Sequence, residues 1–131
     1  RFAEGFEPGD HGSTFAGGPV QCAAGLAVLD IVSDPALLAR VRETGERVRH
    51  VVAELPGVVE VRGRGLMLAA ELDPARAEPA TELVGRALRD ERLVLNATGP
   101  TTLRLLPPLT ISDAELDDAL ARLGRLLSTG G

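Results

Sequence analysis

Beyond residue 15 this sequence contains no Phe, Tyr or Trp, and its only three Phe (Phe2, Phe6 and Phe15) fall at the start. Any core built by the rest of the chain must therefore be packed from Leu, Val, Ala and Ile. The material is sufficient, because 44% of the 131 residues are hydrophobic and 25% charged, a balance that suits a folded domain with room for an appended piece of another. The basic residues are equally one-sided. All 14 are Arg. A chain with no Lys has no side-chain amine able to form a Schiff base, so no residue here is a candidate covalent catalyst of that type. A net charge of −5 argues against nucleic acid or an acidic membrane face as a partner. No apolar run approaches the roughly 20 residues of a bilayer span, and residues 1–9 have neither the basic start nor the apolar stretch of a signal peptide. Cys22 is the only cysteine, which excludes an internal disulfide and fits a reducing cytoplasm. His11 and His50 lie far apart, so no metal site is expected.

Residues 1–18 read as irregular, broken by Gly5, Pro8, Gly9, Gly12, Gly17 and Gly18. They are either a tail or a segment that packs on protein outside this chain. Pro19 to about Val32 reads as a helix with Pro in its first turn. Asp34 and Pro35 open a second helix, in which Leu37, Leu38, Val41, Val48, Val51, Val52 and Leu55 form one stripe before Pro56-Gly57 ends it. The period then changes to two. Val59 and Val61 alternate with Glu60 and Arg62, Gly65 punctuates, and Leu66–Leu72 reads as a second, more buried strand. The short link predicts an antiparallel pair or a bent continuous strand. Pro79–Arg89 is a third helix, with Leu83, Val84, Ala87 and Leu88 on one face. Leu93–Leu95 and Thr102–Leu106 are short strands separated by a turn at Gly99-Pro100. Ser112 and Glu115 have capping-box spacing and open a last helix with Leu116, Leu120, Leu123 and Leu127 inward. The order α, α, β, β, α, β, β, α predicts a two-layer α+β domain, a small and mainly antiparallel sheet with helices packed on one face.

Three stretches could carry chemistry. The loop GDHGSTFAGGP (residues 9–19) sets Ser13 and Thr14 before a helix start, where unpaired N–H groups and hydroxyls suit a phosphate or carboxylate, or the loop simply precedes a capped helix. Arg104, in TTLRLLPP (residues 101–108), either grips a carboxylate from a strand or alternates outward into water. Arg62-Gly63-Arg64-Gly65 suggests a bend with solvated arginines more than an anion site, and Met67 beside it reads as core filler. Asn96 reads as a turn residue, His11 lacks a partner nearby in sequence, and no pair of carboxylates stands out as an acid–base couple.

Beyond this the residues speak through likeness. GDHGSTFAGGPVQCAAGLAVLD (residues 9–30) resembles the segment that follows the Schiff-base lysine in the acetylornithine aminotransferases, of the class III (ornithine-type) branch of pyridoxal-phosphate enzymes of fold type I. The likeness continues in order through LPGVVEVRGRGLM (55–67), LVLNATGP (93–100), LRLLPPL (103–109) and residues 113–123, with Gly18 standing where that family more often has Asn.

The resemblance implies that residues 1–32 end a large cofactor-binding domain and that 33–131 form the small C-terminal domain. It implies pyridoxal 5′-phosphate in the intact enzyme, though no stable binding to these residues alone. It also implies a cytoplasmic homodimer in which Thr14 bonds the cofactor phosphate of the neighbouring subunit, Ser13 contacts substrate at that shared site, and Arg104 holds the substrate α-carboxylate. The implied reaction passes the δ-amino group of N-acetylornithine to 2-oxoglutarate in arginine biosynthesis, with this chain inactive by itself. Ornithine, 4-aminobutyrate or succinylornithine are the alternative class III donors. A free-standing amino-acid-binding or regulatory domain is the alternative outside enzymology.

Overall fold

A computed structural model of the chain describes residue 5 and residues 12–14, 16–76 and 78–129. The chain divides into two compact units, residues 1–38 and 39–131. Phe2, Phe6, Phe15 and His11, on which expectations were placed, lie outside the described residues.

In the first unit, α1 (Pro19–Val32) starts after Gly18 with Pro at its head and no side chain capping its N–H groups. None of its residues is buried, and Val20, Leu26 and Ile31 are among those left exposed. Apolar residues on every side of a helix call for a cover. Asp34 accepts from the Ala36 N–H at 2.8 Å, the expected cap for the helix that follows.

That helix, α2 (Pro35–Ala53), runs on into the second unit, where β1 (Val58–Arg64), β2 (Met67–Leu72), α3 (Ala80–Asp90), β3 (Asn96–Ala97), β4 (Thr102–Leu105) and α4 (Asp113–Ser128) follow. The four strands form one sheet in the order β1-β2-β4-β3, every neighbouring pair antiparallel. Of the two links foreseen between the first strands, the hairpin is correct. Arg64 pairs with Met67 across a two-residue turn whose first residue, Gly65, has φ 55, a conformation costly for residues with a Cβ.

α2, α3 and α4 pack on one face of the sheet, as expected. Leu68, Ala70 and Leu72 of β2 and Leu103 and Leu105 of β4 form a single cluster with Val48 and Val52 of α2, Leu83 and Ala87 of α3, and Leu116, Leu120, Leu123, Leu126 and Leu127 of α4. The cluster is wholly aliphatic, as the missing aromatics require. Arginines tie the frame together through their several donors. Arg49 of α2 reaches the sheet edge and donates to the Val61 and Gly63 carbonyls at 2.9 and 2.7 Å, covering acceptors that an edge strand would expose. Arg86 of α3 grips Glu78 through two nitrogens, at 3.2 and 2.9 Å, and donates to the Leu126 carbonyl near the end of α4 at 2.9 Å.

Three expectations need correction. The strand foreseen at Leu93–Leu95 is instead the two-residue β3 at Asn96–Ala97. The register pairs Asn96 with Arg104, so residues 93–95 would have to pair with Leu105, Leu106 and Pro107, and a proline has no N–H for the ladder. Residues 93–95 lie outside any strand, with Leu93 and Leu95 resting on the core. Val59 does not share a face with Val61, because the register slips between Val58 and Glu60. Val58 and Val61 pack inward while Val59 is 60% exposed. Met67 is 61% exposed and fills no core.

Among the described residues no single helix is long and apolar enough to cross a membrane.

Candidate functional site

The sheet face away from the helices is uncovered within this unit, and the register says which side chains stand on it. One row runs across the strands as Arg62, Ala69, Arg104 and Asn96, each paired with the next. The neighbouring row runs as Glu60, Glu71 and Thr102. A small residue, Ala69, thus separates two guanidinium-bearing positions.

Arg104 is held by β4, between the buried Leu103 and Leu105 that fasten the strand to the core. Alternation along the strand turns Arg104 to the open side, where it is exposed. Among the described residues it makes no hydrogen bond and no ion pair. It is also among the residues lining a cleft of about 370 Å³, most of whose walls, such as Leu93, Leu95, Leu105 and Leu120, belong to the core side of the sheet. Of the two readings of its spacing, the outward one is correct as geometry. The fork faces out and makes no bond among the described residues. Such a fork can take a carboxylate with two parallel hydrogen bonds.

Glu71 is the main feature that sequence reading missed. Its two oxygens accept from the Thr101 hydroxyl, from the Thr102 hydroxyl at 2.8 Å and from Arg62 Nη1 at 3.0 Å. The Thr101 hydrogen bond, then that from Thr102, then Arg62 hold its carboxyl down at about 2. No local pattern marks this cluster, since it joins β1, β2 and the start of β4. Only the pairing of Glu71 with Thr102 announces it, and that pairing is a tertiary fact. Asn96 was also underread. It is a strand residue opposite Arg104, and not a turn residue.

Ser13 and Thr14 are exposed and lie just ahead of α1, in the first unit, whereas Arg104 belongs to the second. The amino end of α1, a few residues after Thr14 in sequence, has no side-chain cap, which leaves backbone donors there for an anion.

The class-III aminotransferase family matches residues 1–127, and the chain belongs to that family. It is 44% identical over 126 residues to acetylornithine aminotransferase 1 of Bordetella bronchiseptica, a match covering 93% of this chain and 31% of that protein. To ornithine aminotransferase of Staphylococcus carnosus it is 42% identical, covering 94% of this chain and 30% of that protein. The crystal structure of ornithine aminotransferase from Toxoplasma gondii superposes with a TM-score of 0.76 at 31% identity, over 96% of this chain and 31% of that one. The chain thus spans about a third of the length of the relatives it matches.

Proposed function

We propose that this chain is the C-terminal part of an acetylornithine aminotransferase and supplies its substrate-carboxylate grip. In that reading residues 1–32 close the large domain and 33–131 are the small one. The observation that carries it is Arg104, a guanidinium exposed on the open sheet face with no hydrogen bond or ion pair among the described residues. N-acetylornithine and 2-oxoglutarate both bring an α-carboxylate, which is what such a fork accommodates. By fixing the carboxylate, Arg104 would set which end of the donor, δ-amine or α-amine, reaches the reacting centre.

Pyridoxal 5′-phosphate, when bound by the intact protein, would supply the electron sink for amine transfer. The residues present fit one end of it. In this reading the Thr14 hydroxyl and the uncapped start of α1 donate to the cofactor phosphate of the neighbouring subunit, and Ser13 contacts substrate at that shared site. With no Lys among the 131 residues, the amine that anchors the cofactor must come from elsewhere in the protein, and the chain by itself is inactive. The uncovered apolar sides of α1 agree with docking on such a remainder, or on the second subunit of a homodimer. A cytoplasmic location rests on the single cysteine.

The test is kinetic. In the full-length enzyme, Arg104→Gln should raise KM for 2-oxoglutarate by about 10²-fold, the loss of a charge-assisted bidentate pair. An unchanged KM refutes the role given to Arg104. Ornithine is the second reading, favoured by relatives of that name at nearly equal identity. A kcat/KM for ornithine above that for N-acetylornithine would decide for it.

A further inference from the structure

We infer that Arg49 locks the outer edge of β1, and that without it two copies of this protein join their sheets through that edge.

The sheet has two edges, and they differ. β3 is a two-residue strand, too short to template a partner, whereas β1 runs for seven residues. The register slip between Val58 and Glu60 blunts the start of β1. The stretch around Val61 is what remains for another strand to pair with. Val61 and Gly63 turn their carbonyls to Arg49, on the side away from β2. In an antiparallel strand a residue's N–H points the same way as its C=O, so Val61 offers a donor and an acceptor at the edge.

That stretch is matched to a second copy of itself. Two β1 strands paired antiparallel about Val61 exchange both Val61 hydrogen bonds. The same register sets Glu60 of one copy directly opposite Arg62 of the other, and symmetry makes the pair twice. Opposite charges facing each other across strands stabilise such a pairing.

Arg49 stands in the way. Its Nη1 and Nη2 hold the Val61 and Gly63 carbonyls at 2.9 and 2.7 Å, so an incoming strand must break two charge-assisted bonds and displace a guanidinium. The arginine is itself fixed in place. Gly45, one turn earlier on the same side of α2, meets Gly65 backbone to backbone and brings the helix within reach of the edge. Glu46 Oε2 lies 3.5 Å from Arg49 Nε. Arg49, its partners and both glycines all belong to the second unit, so the lock is complete within it.

The experiment is sedimentation velocity on the full-length protein over a concentration series. Arg49→Met keeps the apolar stem and removes the fork. Its mass should rise with concentration to about twice the parent's or more, with kcat/KM unchanged at low concentration. Arg49→Gln, which adds no apolar surface, should associate as well. Amide exchange at Val61 should slow in the associated form of either variant, because its N–H gains a partner. Adding Glu60→Arg should return the mass to the parent's, since like charges then face each other across the joint. Parent mass in both Arg49 variants overturns the inference. So does association that Glu60→Arg leaves intact or that leaves Val61 exchange unchanged, because the contact then lies elsewhere.

Discussion

Gly45 of α2 sits so close to Gly65 of the β1–β2 turn that a Cβ added at Gly45 would lie 2.3 Å from the Gly65 carbonyl oxygen. Backbone meets backbone at this point, and the contact sets how closely α2 approaches the hairpin. Gly65 is crowded in turn, since a Cβ there would lie 3.0 Å from Val41 Cγ1.

Gly45→Ala therefore reverses the usual sign of a helical glycine substitution. Alanine gains about 1 kcal/mol of helix propensity over glycine, but the obstacle is main chain and cannot swing away. Overpacking of this kind costs roughly 1–3 kcal/mol. Urea unfolding should show a lowered midpoint. Gly85→Ala in α3 is the contrast, because the nearest atom there is the end of the flexible Arg89 side chain at 3.1 Å. It should raise stability by about 0.4–1 kcal/mol. A stabilised Gly45→Ala would show that the helix does not rest on the turn.

Acid should unfasten the open face through Glu71. Hydrogen bonds from Thr101 and Thr102, and then Arg62, lower its pKa from 4.5 to about 2. A group with a depressed folded pKa contributes stability above its unfolded value and loses that contribution as pH falls through the folded one. The contribution is thus full above about 4.5 and fades on the way down to about 2. In Glu71→Gln the pH dependence of the unfolding midpoint should flatten across that window. Glu115, held low chiefly by the Ser112 hydroxyl, acts in the same direction, so the flattening is partial. Carbon-detected titration of the Glu71 carboxyl gives the direct check, and a midpoint at the ordinary value would contradict it.

Ser112→Ala should cost about 0.5–2 kcal/mol by removing the cap of α4. The Ser112 hydroxyl accepts from the Glu115 N–H at 3.3 Å, and the Glu115 carboxylate takes the Ser112 N–H at 2.9 Å. Loss of the hydroxyl leaves the Glu115 N–H without its acceptor and removes the hydroxyl's own bond to the Glu115 carboxylate at 2.6 Å, while the residue-112 N–H keeps its partner. Because Leu116, Leu120 and Leu123 of α4 are core residues, the penalty should appear in global unfolding and not as local fraying alone.

Arg104→Gln should leave stability within about 0.5 kcal/mol of the parent, as expected for an exposed residue with no hydrogen bond or ion pair among the described residues. Combined with a raised KM, an unchanged thermal midpoint would mark Arg104 as a residue serving a ligand. A clear loss of stability would show that it holds the fold together instead.

Much of the architecture was written locally. Helix starts at Pro19, Pro35 and Asp113, the bend at Gly65 and the aliphatic core follow from propensity, capping and the absence of aromatics, all of which act over a few residues. The stripe on α2 was read with a gap between Val41 and Val48. The structure fills that gap with buried Thr44 and Gly45, which no apolarity count would choose. Arg104 could be placed on a strand, but its spacing left open whether it faced water or a ligand.

What the sequence by itself determined was the set of elements, the kind of core, the family likeness and the lack of any amine for a cofactor. These depend on residue identity and on neighbours a few positions away. Only the tertiary structure decided the short β3, the outward turn of Val59 and Met67, and the meeting of Glu71 with Arg62, Thr101 and Thr102. Each depends on strand register, which brings together residues tens of positions apart, and a one-residue slip would have sent every one of those side chains to the other face.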